Sequence, residues 1–199
     1  MRDVNNIQYV DVNFEDMKLK SALNLRKIVI AEEFTRESIY KVQYLINKIV
    51  DLDNQLNKPK EERVIYFDIS SYGGCAYSCL SLIGTCEYIR EKYGYSIHTN
   101  INSMAMSAGF FFAICGDYRT MNRYGCGLIH PMLSGTGGSL QSMIDDVEHD
   151  KRLWQQIVNI TKRYTNFTDE ELEELKKCKS DKYMLAEEML EKNCIDEIL

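Results

Sequence analysis

The chain has 199 residues, enough for one domain with an ordinary buried core and no need of disulfide staples or metal. Hydrophobic residues make up 45% and charged residues 27%, which excludes a disordered or membrane-embedded chain. A net charge of −6, with lysines dispersed among acids, argues against nucleic acid as the main partner.

Residues 1–25 are polar and weakly patterned and read as an N-terminal arm, leaving 26–199 as one domain. The first twenty residues carry Asp3, Asp11, Glu15 and Asp16 and no apolar stretch of the secretory type. Lys27 to Ile30 is a short β-prone run. Thr35 is a plausible N-cap for a helix with Ile39, Val42, Leu45, Ile46, Ile49 and Val50 on one face. Arg63 to Ile69 is nearly continuous in apolar character, as expected of a strand covered on both sides. Gly73-Gly74 breaks it, and a helix follows with Cys79, Leu82, Ile83, Cys86 and Ile89 on one face. Tyr95 to Ile101 reads as a strand, Ser103 to Ser107 as a tight turn, and Ser107 to Cys115 as a short apolar helix too brief to span a bilayer. Tyr118 to Met121 and Gly127 to Ile129 read as strands, and Gly135 to Gly138 as a link into a long helix from about Leu140 to Tyr164. Thr168 caps a helical stretch reaching toward Lys182, and Leu185 to Leu199 holds one short helix and a hydrophobic end. Strands alternating with helices of this length predict an α/β fold of βαβ units.

The seven cysteines are odd in number and show no C-x-x-C pair, so reduced, buried thiols in a cytoplasmic chain are expected. No metal site and no membrane partner is expected.

Three stretches carry chemistry. Ala105-Met106-Ser107-Ala108-Gly109 places a serine among small residues between a strand and a helix, which suits a sharp turn and a nucleophile. Gly73-Gly74 can turn backbone N–H groups toward a ligand, as an oxyanion hole requires. His130 ends a strand just before Pro131, a suitable place for a general base, whereas His98 sits mid-strand and His149 among acids on a helix. A triad also needs a carboxylate, and spacing alone does not choose among Asp181, Asp117 and Asp145.

Taken in order, these pieces resemble the ClpP family, the proteolytic subunits of the Clp protease, over residues 26 to 198. The family's Asn-Ser-Pro-Gly-Gly turn is similar to Ser70-Ser71-Tyr72-Gly73-Gly74, and its Ala-Ser-Met-Gly-Ala segment to Met106-Ser107-Ala108-Gly109-Phe110. Its Met-Ile-His-Gln-Pro segment resembles Leu128-Ile129-His130-Pro131-Met132, and the segment holding its triad acid resembles Ser180-Asp181-Lys182-Tyr183-Met184-Leu185-Ala186. The resemblance implies a catalytic triad of Ser107, His130 and Asp181, with oxyanion donors at the backbone N–H groups of Gly73 and Ala108. It also implies a crotonase-like spiral with a handle helix at 140–164. The assembly it implies is a homo-oligomer of seven-membered rings stacked as fourteen subunits, fed with unfolded polypeptides by an AAA+ unfoldase. ATP would belong to that partner, with no cofactor in this chain. Tyr72, Pro131 and Ser180 depart from the family pattern, which has proline, glutamine and arginine there. Two other readings share the pattern: a catalytically silent ClpP-like subunit, and a crotonase-fold enzyme acting on acyl-CoA.

Overall fold

A computed structural model describes residues 14–178 and 181–199. β1 (Lys27–Ile30) and β2 (Val64–Ser71) pair in parallel, from Lys27 opposite Tyr66 to Ile30 opposite Ile69. β2 pairs in parallel with β3 (Ser96–Met106), with a register shift between Ile69 and Ser71. β3 then divides its other edge. His98 to Ile101 pair with β4 (Tyr118–Met121), and Met104 to Met106 pair with β5 (Cys126–Ile129). β4 carries β7 (Glu197–Ile198) on its outer side, and β5 carries β6 (Lys182–Leu185) in the sheet's antiparallel step. This is the mixed α/β, mainly parallel, ClpP-like fold that the alternation of elements and the resemblance lead one to expect.

The helices form where apolar spacing places them. α2 (Arg36–Gln55) buries Ile39, Val42, Ile46, Ile49 and Val50, and Thr35 caps it: its hydroxyl accepts from the Ser38 N–H at 3.0 Å while Ser38 Oγ accepts from the Thr35 N–H at 3.0 Å. α3 (Ala76–Tyr93) buries Cys79, Leu82, Ile83, Cys86 and Ile89. All six residues of α4 (Ala108–Ala113) are buried. α5 (Leu140–Tyr164) buries Leu153, Trp154, Ile157 and Thr161, all in its second half, while Leu140, Ile144 and Val147 in its first half are exposed.

Four local expectations change. Residues 14–25, expected to belong to a loose arm, form α1 (Phe14–Leu25), which packs on α2 and β1 and buries Ala22 completely. Half of its residues are apolar, but they are not gathered on one face, with Met17, Leu19 and Leu25 exposed, and a buried network at its end secures it instead. Arg26 pairs with the fully buried Asp53, which also accepts from the Tyr95 hydroxyl at 2.9 Å. The first thirteen residues of the expected arm lie outside the described residues.

Second, β2 is covered on one face only. Ile65, Phe67 and Ile69 are buried, while Tyr66 is exposed and packs edge-on to His98, and Asp68 pairs with Lys27 and accepts from Asn100. Third, the turn expected at 103–107 is strand as far as Met106, because those residues gain β5 as a ladder partner. Fourth, the helix expected to reach Lys182 ends earlier, as α6 (Asp169–Cys178), and 182–185 pair with β5 as β6. Cross-strand pairing overrides the helix-favouring composition of that stretch. α7 (Ala186–Glu191) follows β6. The C-terminal end is then clasped by Arg119, whose guanidinium donates to Asp196 at 2.6 Å and to the carbonyls of Tyr164 and Asn193, both at 2.7 Å.

Candidate active site

Ser107 is the joint between β3 and α4. Its backbone sits at φ 53° and ψ −120°, a left-handed conformation that a non-glycine residue avoids unless its surroundings impose it, at a cost of order 1–3 kcal/mol. The imposing contacts are identifiable. The Ser107 N–H donates to the Leu128 carbonyl of β5 at 2.9 Å, and the buried α4 fixes the chain beyond it. Gly73 presses from the other side. A Cβ built there would lie 2.5 Å from the Met106 carbonyl oxygen, 2.6 Å from Ser107 Cβ and 3.0 Å from the Ala108 nitrogen, and its φ of +101° is glycine territory. By sequence the double glycine belongs to a turn. In the fold, Gly73 is what allows the turn after β2 to lie against the serine.

A cavity of about 450 Å³ opens beside Ser107 and Ala108. Its walls include Gly74, Leu80, Phe111, His130, Met132 and Ile157, so the serine and the histidine face one space. Both are half-buried. The His130 ring is held by its own chain, with Nδ1 2.7 Å from the Pro131 carbonyl oxygen. A carbonyl only accepts, so this bond puts a proton on Nδ1, and in the neutral ring the lone pair is then on Nε2, the tautomer a general base needs. Neither His130 Nε2 nor Ser107 Oγ has a hydrogen-bond partner among the described residues.

Asp181 is placed by the β5–β6 ladder. The last pair is Ile129 with Lys182, so the next position outward sets Asp181 across from His130. The ladder stops there, Asp181 is exposed, it does not line the cavity, and it makes no bond to His130 among the described residues. Ser180, the position of one sequence departure, lies outside the described residues. Asp117 is committed elsewhere, accepting from Arg90 at 2.8 Å and from the Ile97 N–H at 2.7 Å, so it is not available to the imidazole.

The two candidate oxyanion donors differ in their engagements. Ala108 opens α4 beside the cavity. The Gly73 N–H instead donates to the buried Ser71 hydroxyl at 3.1 Å, and Ser71 Oγ donates onward to the Glu32 carbonyl at 2.6 Å. Gly74, at φ +139°, lines the cavity, and its N–H has no partner among the described residues. The motif presents the two glycines as one turn, and it is the resemblance that implies the first as donor. Only the hydrogen bonds tell them apart.

Cys75, at the N-cap of α3, also lines this cavity and is exposed. Partial burial would raise its pKa, but the Ser78 and Tyr77 N–H groups and the Ser78 hydroxyl favour the thiolate and hold it below the usual thiol range. Burial pushes Cys86 and Cys194 up to about 12, and raises Cys79 and Cys115 as well. Among the described residues no cluster of three or more His, Cys, Asp or Glu could hold a metal ion, and no helix is long and apolar enough to cross a membrane.

A strained serine and a histidine line one cavity on a branched, mainly parallel sheet of ClpP-like fold. The family model of the Clp protease matches residues 14–199, and the chain belongs to that family, whose members are peptidases and in general form ring-shaped oligomers. No curated protein matches the sequence significantly.

Proposed function

We propose that this chain is a serine endopeptidase of the ClpP type, with Ser107 as nucleophile, His130 as general base and Asp181 as the carboxylate that orients and stabilises the imidazole. The observation that carries the reading is Ser107's imposed positive-φ backbone in the wall of a cavity shared with His130. Strain of that kind persists where surrounding structure over-determines it, and it sets the hydroxyl at a strand-to-helix corner. His130 Nε2 takes the Ser107 proton as Oγ attacks the scissile carbonyl. The amine leaves with that proton, and water then hydrolyses the acyl-enzyme. The Ala108 N–H and the unengaged Gly74 N–H, in place of Gly73, receive the developing oxyanion. In this reading Asp181, from the position opposite His130, reaches Nδ1 by displacing the Pro131 carbonyl.

The working particle in this reading is a homo-oligomer of seven-membered rings, paired as fourteen subunits, that takes unfolded polypeptides from an AAA+ unfoldase in the cytoplasm. The exposed apolar residues of α5's first half, Leu140, Ile144 and Val147, support the pairing of rings, since apolar surface of this kind calls for a partner. ATP belongs to the unfoldase. This chain needs no cofactor for acyl transfer.

The deciding experiment is fluorophosphonate labelling of the assembled protein alongside peptide hydrolysis. Labelling and turnover that both vanish in Ser107→Ala, with the particle mass unchanged, support the reading. A wild-type chain that neither labels nor cleaves points instead to a silent subunit or an acyl-CoA enzyme.

A further inference from the structure

The cavity beside Ser107 is not uniformly apolar. One stripe of α5 lines it with Asp150, Leu153, Ile157 and Ile160, spaced as successive turns of one face, and α3 supplies Leu80 and Ile83 opposite. Asp150 lies three residues before Leu153, about 4.5 Å further along the helix axis. It is half-buried and has no ion-pair or hydrogen-bond partner among the described residues, whereas the adjacent Lys151 is already paired with Glu148 at 2.6 Å. Among the described residues no lysine or arginine lines the cavity, and Asp150 is its one carboxylate. Beside it the Tyr77 ring stacks on His149, with centroids 6.0 Å apart, and its hydroxyl bonds to His149 Nε2, joining α3 to α5 at this end.

A cavity wall that carries Leu80, Ile83, Leu153 and Ile157 beside one carboxylate unpaired among the described residues fits a particular side chain: a long aliphatic stem with a cation at its tip. We propose that this cavity is a substrate subsite for a basic residue, lysine or arginine, with Asp150 as the specificity-determining residue. The stem lies against Leu80, Ile83, Leu153 and Ile157, and the charged end meets Asp150, which gains the partner the folded chain denies it. This rests on the acyl-transfer reading of Ser107 and adds to it the class of bond cleaved.

The test uses the assembled full chain and three peptides that differ only in the residue on the acyl side of the cleaved bond: lysine, norleucine and glutamate. The expected order of kcat/KM is lysine, norleucine, glutamate. Asp150→Asn lowers the lysine-to-norleucine ratio about tenfold, and Asp150→Lys reverses the order of lysine and glutamate. A ratio unmoved by Asp150→Asn, while Ser107-dependent cleavage of the norleucine peptide persists, overturns the subsite and leaves the peptidase reading standing. If cleavage proves independent of Ser107, that reading fails, and binding then judges the subsite. Product peptides ending in lysine or norleucine are titrated into Ser107→Ala with and without Asp150→Asn. Tighter binding of the lysine peptide that is lost in the double variant supports the inference, and equal affinities overturn it.

Discussion

Ser107 and His130 face the same cavity but are held by opposite kinds of structure. The serine is over-determined, with Gly73 against its Cβ, the Leu128 carbonyl on its N–H and a wholly buried helix behind it. The histidine begins the stretch between β5 and α5, its ring tied to the next residue's carbonyl, and its expected carboxylate stands exposed past the end of a four-residue ladder. The nucleophile half is therefore set by the core of the fold, whereas the base half depends on the short β5–β6 pairing and on whatever orders the chain around it. An assembly that packs against residues 130–147 would act on the second half and leave the first untouched.

The sharpest break of that comparison is Asp181→Asn. If the carboxylate takes over Nδ1 in the working particle, turnover falls by on the order of 10⁴, while thermal stability hardly changes because Asp181 is exposed. Full activity in steady-state peptide hydrolysis would assign the orienting role to the Pro131 carbonyl and reduce the triad to a dyad.

Next in size come two changes to the rigid half. Gly73→Ala forces a Cβ into backbone at 2.5 Å and an L side chain into φ +101°, so both folding and hydrolysis suffer, with a loss of about 2 kcal/mol or more in denaturant unfolding. Asp53→Ala removes the buried partner of Arg26 and of the Tyr95 hydroxyl and costs about 3 kcal/mol. For Asp53, burial alone would raise the carboxyl pKa, but the bonds from Arg26 and Tyr95 outweigh it and hold it below the usual range. A depressed carboxyl stabilises the fold fully above its unfolded pKa, about 4, and that contribution drains away as pH falls through the lower folded value. Asp53→Asn should therefore flatten the acid limb of stability against pH. An unchanged acid limb would assign it to other carboxylates, Asp196 beside Arg119 first among them.

Much of this was legible in residue order. The buried stripes of α2 and α3 and the span of α5 follow from spacing at 3.6 residues, and β1 from its β-branched run. What stayed hidden depends on partners distant in sequence. Nothing in Met104 to Met106 says that β5 will pair with them, nothing in Lys182 to Leu185 says strand, and α1 is held by Arg26 and Asp53, 27 residues apart. At the site, the motifs pointed to Ser107 and His130, but choosing between two adjacent glycines required knowing that Ser71 Oγ accepts the Gly73 N–H. Asp150 carries no motif at all, since one acid among the thirty of the chain is conspicuous only when, among the described residues, it is the single carboxylate of a cavity.

The smallest expected effect tests whether the cavity joins the two halves. Cys75 stands at the start of α3, exposed, with its thiol pKa held below the ordinary range, while Cys79, Cys86, Cys115 and Cys194 are buried and raised. Only the thiolate attacks an alkylating agent, so iodoacetamide near neutral pH should modify Cys75 roughly tenfold or more faster than those four, as read by peptide mass mapping. Because Cys75 and Ser107 line one space, the added group should also lower peptide hydrolysis severalfold, and a bound peptide should slow the modification. Ser107→Ala, which leaves the thiol's surroundings alone, should be alkylated at the wild-type rate. Modification of Cys75 with no change in hydrolysis would mean that substrate reaches the serine without crossing the α3 side of the cavity, and the α5 side, with Asp150, would then carry recognition alone.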